Sequence, residues 1–181
     1  METRLMNAMY ELHHQPHLRL TIQEESDADA LFALIQQEKP RLRRTLPWPD
    51  SVKTLDNTRE NIRANRDGFF AGTTAVYIVR WDKALAGIVS FNTLQHQEGI
   101  IGYWLAEAFE GKGIASLAVR TMTTAYTHAA LIKRCVIRAS VANARSNALA
   151  QRLNFRLHHT EKQAERIGET LFDQNVYYSP A

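Results

Sequence analysis

The sequence predicts one mixed α/β domain, and three observations lead there. The first is size and composition: 181 residues, 45% hydrophobic and 23% charged, make one domain's length of soluble globular chain with apolar residues enough for a sizeable core. The second is pattern, because strand-like and helix-like segments follow one another as β-α-α-β-β-β-α-β-α-β-β without an internal repeat. The third is the stretch GYWLAEAFEGKGIASLAVR at 102–120, where an aromatic strand passes through a glycine-punctuated turn into a helix.

In chain order, residues 1–16 carry Met6, Met9, Tyr10, His13 and His14 without periodicity and are expected to be a flexible N-terminal arm, leaving 17–181 as the folded domain. Residues 17–22 alternate, with Leu18, Leu20 and Ile22 on one face of a half-buried strand. Ser26, Asp27 and Asp29 offer a cap and an acidic first turn to a helix with the apolar stripe Leu31, Phe32, Leu34 and Ile35, expected to end near Pro40. Two prolines hold Leu46-Pro47-Trp48-Pro49 in a loop. A second helix is expected over 54–65, with Gly68 beyond its end.

Strands over 75–80 and 86–92 form a hairpin around Asp82-Lys83, and a third joins from Gly99. The central helix follows, its apolar or small residues Ile114, Leu117, Ala118, Thr121, Met122 and Ala125 at helical spacing. Residues 135–141 are then a strand, Asn143 opens a helix through Leu153, and 155–160 and 171–178 are two more strands. Between these last two, the polar segment 162–169 is a loop or the tip of an extended hairpin.

Composition bounds the function as well. A formal net charge of +3 favours anionic partners mildly, but no basic stripe interleaved with aromatics points to direct nucleic-acid binding. The densest basic cluster, Lys39, Arg41, Arg43 and Arg44, reads as a solvated helix end or the rim of a site for an acidic substrate. No apolar run reaches membrane-span length and the N-terminus has no signal core, so a cytoplasmic protein is expected. The one cysteine, Cys135, sits in an apolar strand and reads as a packed thiol. Seven histidines without HExxH or comparable spacing indicate no metal.

The turn Glu110-Gly111-Lys112-Gly113 is suited to an anion. The first N–H groups of a helix lack intrahelical partners and sit at the positive end of its dipole, and glycines let a pyrophosphate approach the backbone. Neither the dinucleotide fingerprint nor the P-loop pattern is present. The segment resembles the Q/R-x-x-G-x-G/A pyrophosphate loop of the GNAT acetyltransferases, with Gly113 and Ala115 matching and Glu110 departing from the usual Gln or Arg. One helix and one strand later comes Val141-Ala142-Asn143-Ala144-Arg145-Ser146-Asn147, at the family's spacing, and then Leu153-Asn154-Phe155, similar to its "lGF" element. Within the superfamily the chain is most similar to the ribosomal-protein-serine N-acetyltransferases, through Leu46-Pro47-Trp48-Pro49, residues 87–92, Ile101-Gly102-Tyr103-Trp104-Leu105, Ser146-Asn147 and Lys162-Gln163-Ala164-Glu165. Where those relatives can carry a cysteine, this chain has Ala139.

The resemblance implies a GNAT-like sheet of about six to seven mostly antiparallel strands with about four helices, splayed near Leu105 and Ala139. It implies acetyl-CoA as cosubstrate, held by Trp104, Leu105, Gly111, Lys112, Gly113, Ile114, Ala115, Ser116, Asn143 and Ser146. It implies transfer to a protein N-terminus, that of a ribosomal stalk protein beginning with Ser, and a homodimer shaping a trough for it. Trp48 and Glu165 would meet that substrate. Glu165 would be the base acting through a water, its alternative being a solvated loop carboxylate. Ser146 would hydrogen-bond or protonate the leaving thiolate, or merely cap its helix. Two other functions stay open: a GNAT acting on a small-molecule amine, and a non-catalytic CoA-binding module.

Overall fold

The computed structural model describes residues 2–180. Its helices are α1 (Glu2–Tyr10), α2 (Ala28–Leu42), α3 (Leu55–Ala71), α4 (Ile114–His128) and α5 (Ala144–Arg152). Its strands are β1 (Glu11–His14), β2 (Leu18–Ile22), β3 (Ala75–Trp81), β4 (Ala84–Gln95), β5 (Glu98–Leu105), β6 (Arg134–Ser140), β7 (Arg156–Ile167) and β8 (Thr170–Tyr178). All eight strands form one sheet in the order β1-β2-β3-β4-β5-β6-β8-β7. The mixed α/β domain expected from the sequence is therefore present, with eight strands and five helices.

Alternation along the strands divides the interior in two. In β3, Tyr77 and Val79 join a core with Phe91, Ile114, Met122 and Tyr126 under α4, while Ile78 joins Leu31, Ile35, Ile62, Ile88 and Trp104 under α2 and α3. Period-2 side chains on a sheet covered on both faces require this division. At the centre of the first core, the hydroxyls of Tyr77 and Tyr126 lie 2.7 Å apart and Tyr77 also donates to the Met9 carbonyl at 2.5 Å.

Only β5 and β6 run parallel, and their pairing from Glu98↔Arg134 stops at Ile101↔Ile137. Beyond it, β5 stays with β4 as far as Gly87↔Leu105, whereas β6 follows β8 to Ser140↔Gln174. The sheet thus opens a V between residues 102–105 and 138–140, where the splay near Leu105 and Ala139 was expected.

Several expectations need correction. Residues 2–14 are ordered as α1 and β1, not a flexible arm: Leu12 pairs with Leu20, and Met9 and Leu12 are buried. α2 starts at Ala28 after a 3₁₀ turn over Glu25–Asp27, with Asp27 accepting from the Glu24 backbone N–H at 2.8 Å, so Ser26 is not its cap. The same helix continues through Pro40 to bury Leu42; the proline forfeits one helical hydrogen bond without ending the helix. α3 runs past 65 because Phe69 is buried in the first core, and it ends at Gly72 in the left-handed region, φ +74°. Of the two readings of 162–169 the extended hairpin holds: 162–167 belongs to β7, and the chain turns at Gly168 into β8.

Candidate active site

The turn before α4 holds two left-handed glycines, Gly111 at φ +73° and Gly113 at φ +77°, and a Cβ built on either meets nothing within 4 Å. Backbone conformation, not crowding, therefore demands glycine here, and open space lies in front of the turn. Gly113 caps α4 with no side chain accepting from the first turn, which leaves donors directed at that space. Gly111, Gly113, Ile114, Ala115 and Ser116 line a cleft of about 760 Å³. A glycine cradle with free helix N–H groups, beside a V in the sheet, fits the pyrophosphate and extended arm of CoA. Lys112 is exposed and lines neither this cleft nor its neighbour.

Glu110, anomalous in an anion site, is neutralised by two arginines. Arg41 Nη1 donates to Glu110 Oε1 at 2.5 Å, and Arg145 pairs with Oε2. Arg41 also pairs with the buried Glu38 at 3.0 Å and donates to the Leu105 carbonyl at 2.5 Å, fastening α2 to the end of β5. Glu38 accepts in turn from the Glu107 backbone N–H at 3.2 Å. Arg41 is therefore not part of a solvated helix end. The sequence signal that could have revealed it is Glu110 itself, since a carboxylate in an anion cradle calls for cations nearby.

A second cleft of about 630 Å³ crosses the α2–α3 face of the sheet. Its lining includes Trp48, Ser90, Asn92, Arg138, Glu165 and Gln174. The two clefts share Thr45, Leu46, Tyr103, Trp104, Asn143 and Ser146. Trp104 is buried in the second core with its ring 6.1 Å from that of Trp48, so it both packs and lines. At the junction Tyr103 Oη is 3.0 Å from Ser146 Oγ. Tyr103 was read only as a strand residue; its hydroxyl, at the strand end entering the turn, was the available signal.

The Asn143–Asn147 segment separates capping from chemistry. Asn143 Oδ1 accepts from the Ser146 backbone N–H at 3.1 Å and is the cap of α5, leaving the Ser146 hydroxyl to Tyr103. Asn147 Nδ2 donates to the carbonyls of Ser140 and Asn143, while its Oδ1 accepts from Asn175 and Tyr177. Thus α5 is tied to β6 and β8, which places Ser146 beside the V.

Glu165 reaches the second cleft because of an irregularity in β7. The register with β8 passes from Glu161↔Gln174 to Glu165↔Phe172, with Gln163 at φ +49° and its N–H donating to Asp173 at 2.9 Å. Such a bulge re-aims the following side chain. The Glu165 carboxylate accepts from Gln174 Nε2 at 3.1 Å, and burial raises its pKa above the ordinary carboxylate value, a rise that the Gln174 hydrogen bond opposes. Cys135 is buried, and that burial pushes its thiol up to about 11, so it is unreactive. No cluster of three or more His, Cys, Asp or Glu among the described residues could hold a metal ion, and no helix among them is long and apolar enough to cross a membrane.

Residues 17–156 match the acetyltransferase (GNAT) domain family. The chain belongs to the GNAT acetyltransferases. As a GNAT enzyme it is an acetyl-CoA-dependent N-acetyltransferase. It is 32% identical over 162 residues to the ribosomal-protein-serine acetyltransferase of Escherichia coli (strain K12), covering 88% of this chain and 90% of that one. Among solved structures it is similar to RimL, a ribosomal L7/L12 alpha-N-protein acetyltransferase in complex with coenzyme A: TM-score 0.91, 33% identity, 93% of this chain and 96% of that one. A microcin C7 self-immunity acetyltransferase, MccE, in complex with acetyl-CoA and AMP, matches with TM-score 0.89 and 30% identity over 92% of this chain and 94% of that one. Both matches cover more than nine-tenths of the chain.

Proposed function

We propose that the chain acetylates the N-terminal amine of a ribosomal stalk protein beginning with serine, in the cytoplasm. Its likeness to a ribosomal-protein-serine acetyltransferase and to a ribosomal L7/L12 alpha-N-protein acetyltransferase supports this. The observation that carries it is the meeting of the two clefts at Tyr103 and Ser146, with Glu165 facing the acceptor side.

Gly111, Gly113 and the first amides of α4, from Ile114 to Ser116, hold the pyrophosphate, and the V beside Trp104 and Leu105 takes the arm as an added strand. Bound there, acetyl-CoA supplies an activated acyl group. A backbone N–H near Leu105 stabilises developing negative charge on the acyl oxygen. Trp48 and the face of Trp104 line the path of the peptide. An N-terminal ammonium has a pKa near ~8, so modest basicity suffices to free it. Glu165, its basicity raised by burial, takes that proton through a water. Ser146 Oγ, oriented by Tyr103 Oη, gives a hydrogen bond or proton to the departing sulfur.

The acceptor cleft also argues against polyamines and other polycations. Glu165 is the single carboxylate among its lining residues, and Arg138 stands among them as well; a polycation requires several acids. The test is CoA release from acetyl-CoA with Ser-, Ala- and Met-initiated peptides, a Lys peptide with a blocked N-terminus, and spermidine. Turnover confined to peptides with free N-termini, with Ser preferred, is the expected result. Turnover on spermidine alone would overturn it. AMP, held by the microcin relative, serves as a competitor whose inhibition of peptide turnover would favour a nucleotide-linked acceptor.

A further inference from the structure

Glu110 is a carboxylate placed where an anion must bind. Left alone, it would repel a pyrophosphate at the adjoining glycines across a few ångströms of partly desolvated space. Its two arginine partners are not equivalent. Arg41 is held by Glu38, Glu110 and the Leu105 carbonyl, and its side chain is 29% exposed. Arg145 is 73% exposed, and its one ion pair among the described residues is with Glu110. All three side chains line the cofactor cleft, together with Arg44 and Arg152.

We propose that Glu110 is an internal counter-anion that holds Arg145 at the mouth of the cofactor cleft until a phosphate of the cofactor takes its place, and that Arg145 is the side chain that changes partner. Arg41 keeps its grip on β5 throughout, because Glu38 and Leu105 hold it independently of Glu110. The arrangement sets cofactor affinity from both sides. The guanidinium of Arg145 is pre-positioned for phosphate, which lowers the ordering cost of binding it. The residual charge of Glu110 then weakens the bound state and speeds release of the product, CoA. This inference rests on acetyl-CoA occupying the turn.

Calorimetry with acetyl-CoA, and with S-acetylpantetheine as a probe that has the arm but no phosphates, tests it on wild type, Glu110→Gln, Arg145→Gln and the double variant. The expected result is that Glu110→Gln binds acetyl-CoA about threefold to tenfold more tightly and releases CoA correspondingly more slowly, with S-acetylpantetheine unaffected. Arg145→Gln should weaken acetyl-CoA binding, and should still weaken it in the Glu110→Gln background, where no unpaired carboxylate remains to explain the loss. Weaker acetyl-CoA binding by Glu110→Gln with a lowered melting temperature would overturn the proposal and make Glu110 a brace for the turn. An Arg145→Gln effect that vanishes in the double variant would remove Arg145 as a phosphate ligand. Wild type that binds no acetyl-CoA would overturn this inference and the cofactor site together, whereas wild-type binding unchanged by Glu110→Gln would overturn the inference alone.

Discussion

Tyr103 Oη and Ser146 Oγ lie 3.0 Å apart at the seam between the two clefts. One comes from the end of β5 and the other from the first turn of α5, so the hydrogen bond joins one arm of the V to the helix that follows the other. Burial raises the Tyr103 pKa above that of a free phenol, with Ser146, Arg152 and Arg145 opposing the rise. The phenol is therefore protonated at neutral pH and can donate to Ser146, leaving the serine proton free for a third atom.

Ser146→Ala should lower kcat more than it raises the KM for acetyl-CoA, because a hydrogen bond to a departing sulfur strengthens only as the bond breaks. Tyr103→Phe should show the same split more weakly, having removed only the orienting partner. Neither should cost the helix its cap, since Asn143 supplies it. Asn143→Ala is the contrast, with an expected loss of about 0.5–2 kcal/mol in stability. Kinetics and thermal melts on the three variants check this, and a destabilised Ser146→Ala with normal kcat would take the serine off the reaction path.

Gly113→Val should abolish acetyl-CoA binding. Its φ of +77° suits no β-branched residue, and although a Cβ meets nothing within 4 Å, the methyls would project into the space proposed for the pyrophosphate. Calorimetry checks this on a variant shown by circular dichroism to be folded. A folded variant with wild-type affinity would move the cofactor elsewhere.

The turn, the Asn143–Asn147 segment and the strands of both cores were legible because each is written locally, in glycines, caps and period-2 alternation. What was not legible depends on partners distant in sequence. Met9 and Leu12 show no periodicity, yet they are buried because β1 finds β2 and Tyr77 donates to the Met9 carbonyl. Arg41 resembled any helix-end cation until folding brought Glu110, 69 positions away, against it. Glu165 sits in a strand whose register slips just before it, and a slip of register decides which face a side chain takes. Its motif could mark it, but only the bulge shows how it reaches the cleft.

The buried tyrosine pair yields a stability prediction. Tyr77→Phe removes the donor to the Met9 carbonyl and the partner of Tyr126, whose own pKa burial has pushed up to about 12. Leaving buried polar atoms unpaired typically costs about 1–3 kcal/mol. Denaturant unfolding should show that loss with the slope unchanged, and hydrogen exchange should show residues 2–14 opening more readily than the central strands. Equal stability of variant and wild type would mean that water replaces the lost hydroxyl.

Glu165→Gln is the decisive variant for the base. It keeps the size of the side chain while removing basicity, and loss of a general base typically costs about 10²–10⁴-fold in rate. Because burial raises the pKa of Glu165, wild-type kcat/KM should fall on the acid side at a pH above the ordinary carboxylate range, and the variant should lack that limb. The same shift has a stability consequence of opposite sense. A carboxyl with a raised folded pKa holds its proton more tightly in the native state than in the unfolded one, so ionising it loses stability as pH climbs from the ordinary carboxylate value through the raised one. Above that window Glu165→Gln should melt slightly higher than wild type, provided Gln174 keeps a partner. Profiles of kcat/KM on a Ser-initiated peptide from about pH 5 to 9.5 should also show the variant's deficit shrinking above ~8, where the free amine is already largely neutral. Near-equal rates throughout would leave Glu165 a loop carboxylate, and a deficit constant with pH would assign it to positioning the substrate's N-terminal ammonium instead of deprotonating it.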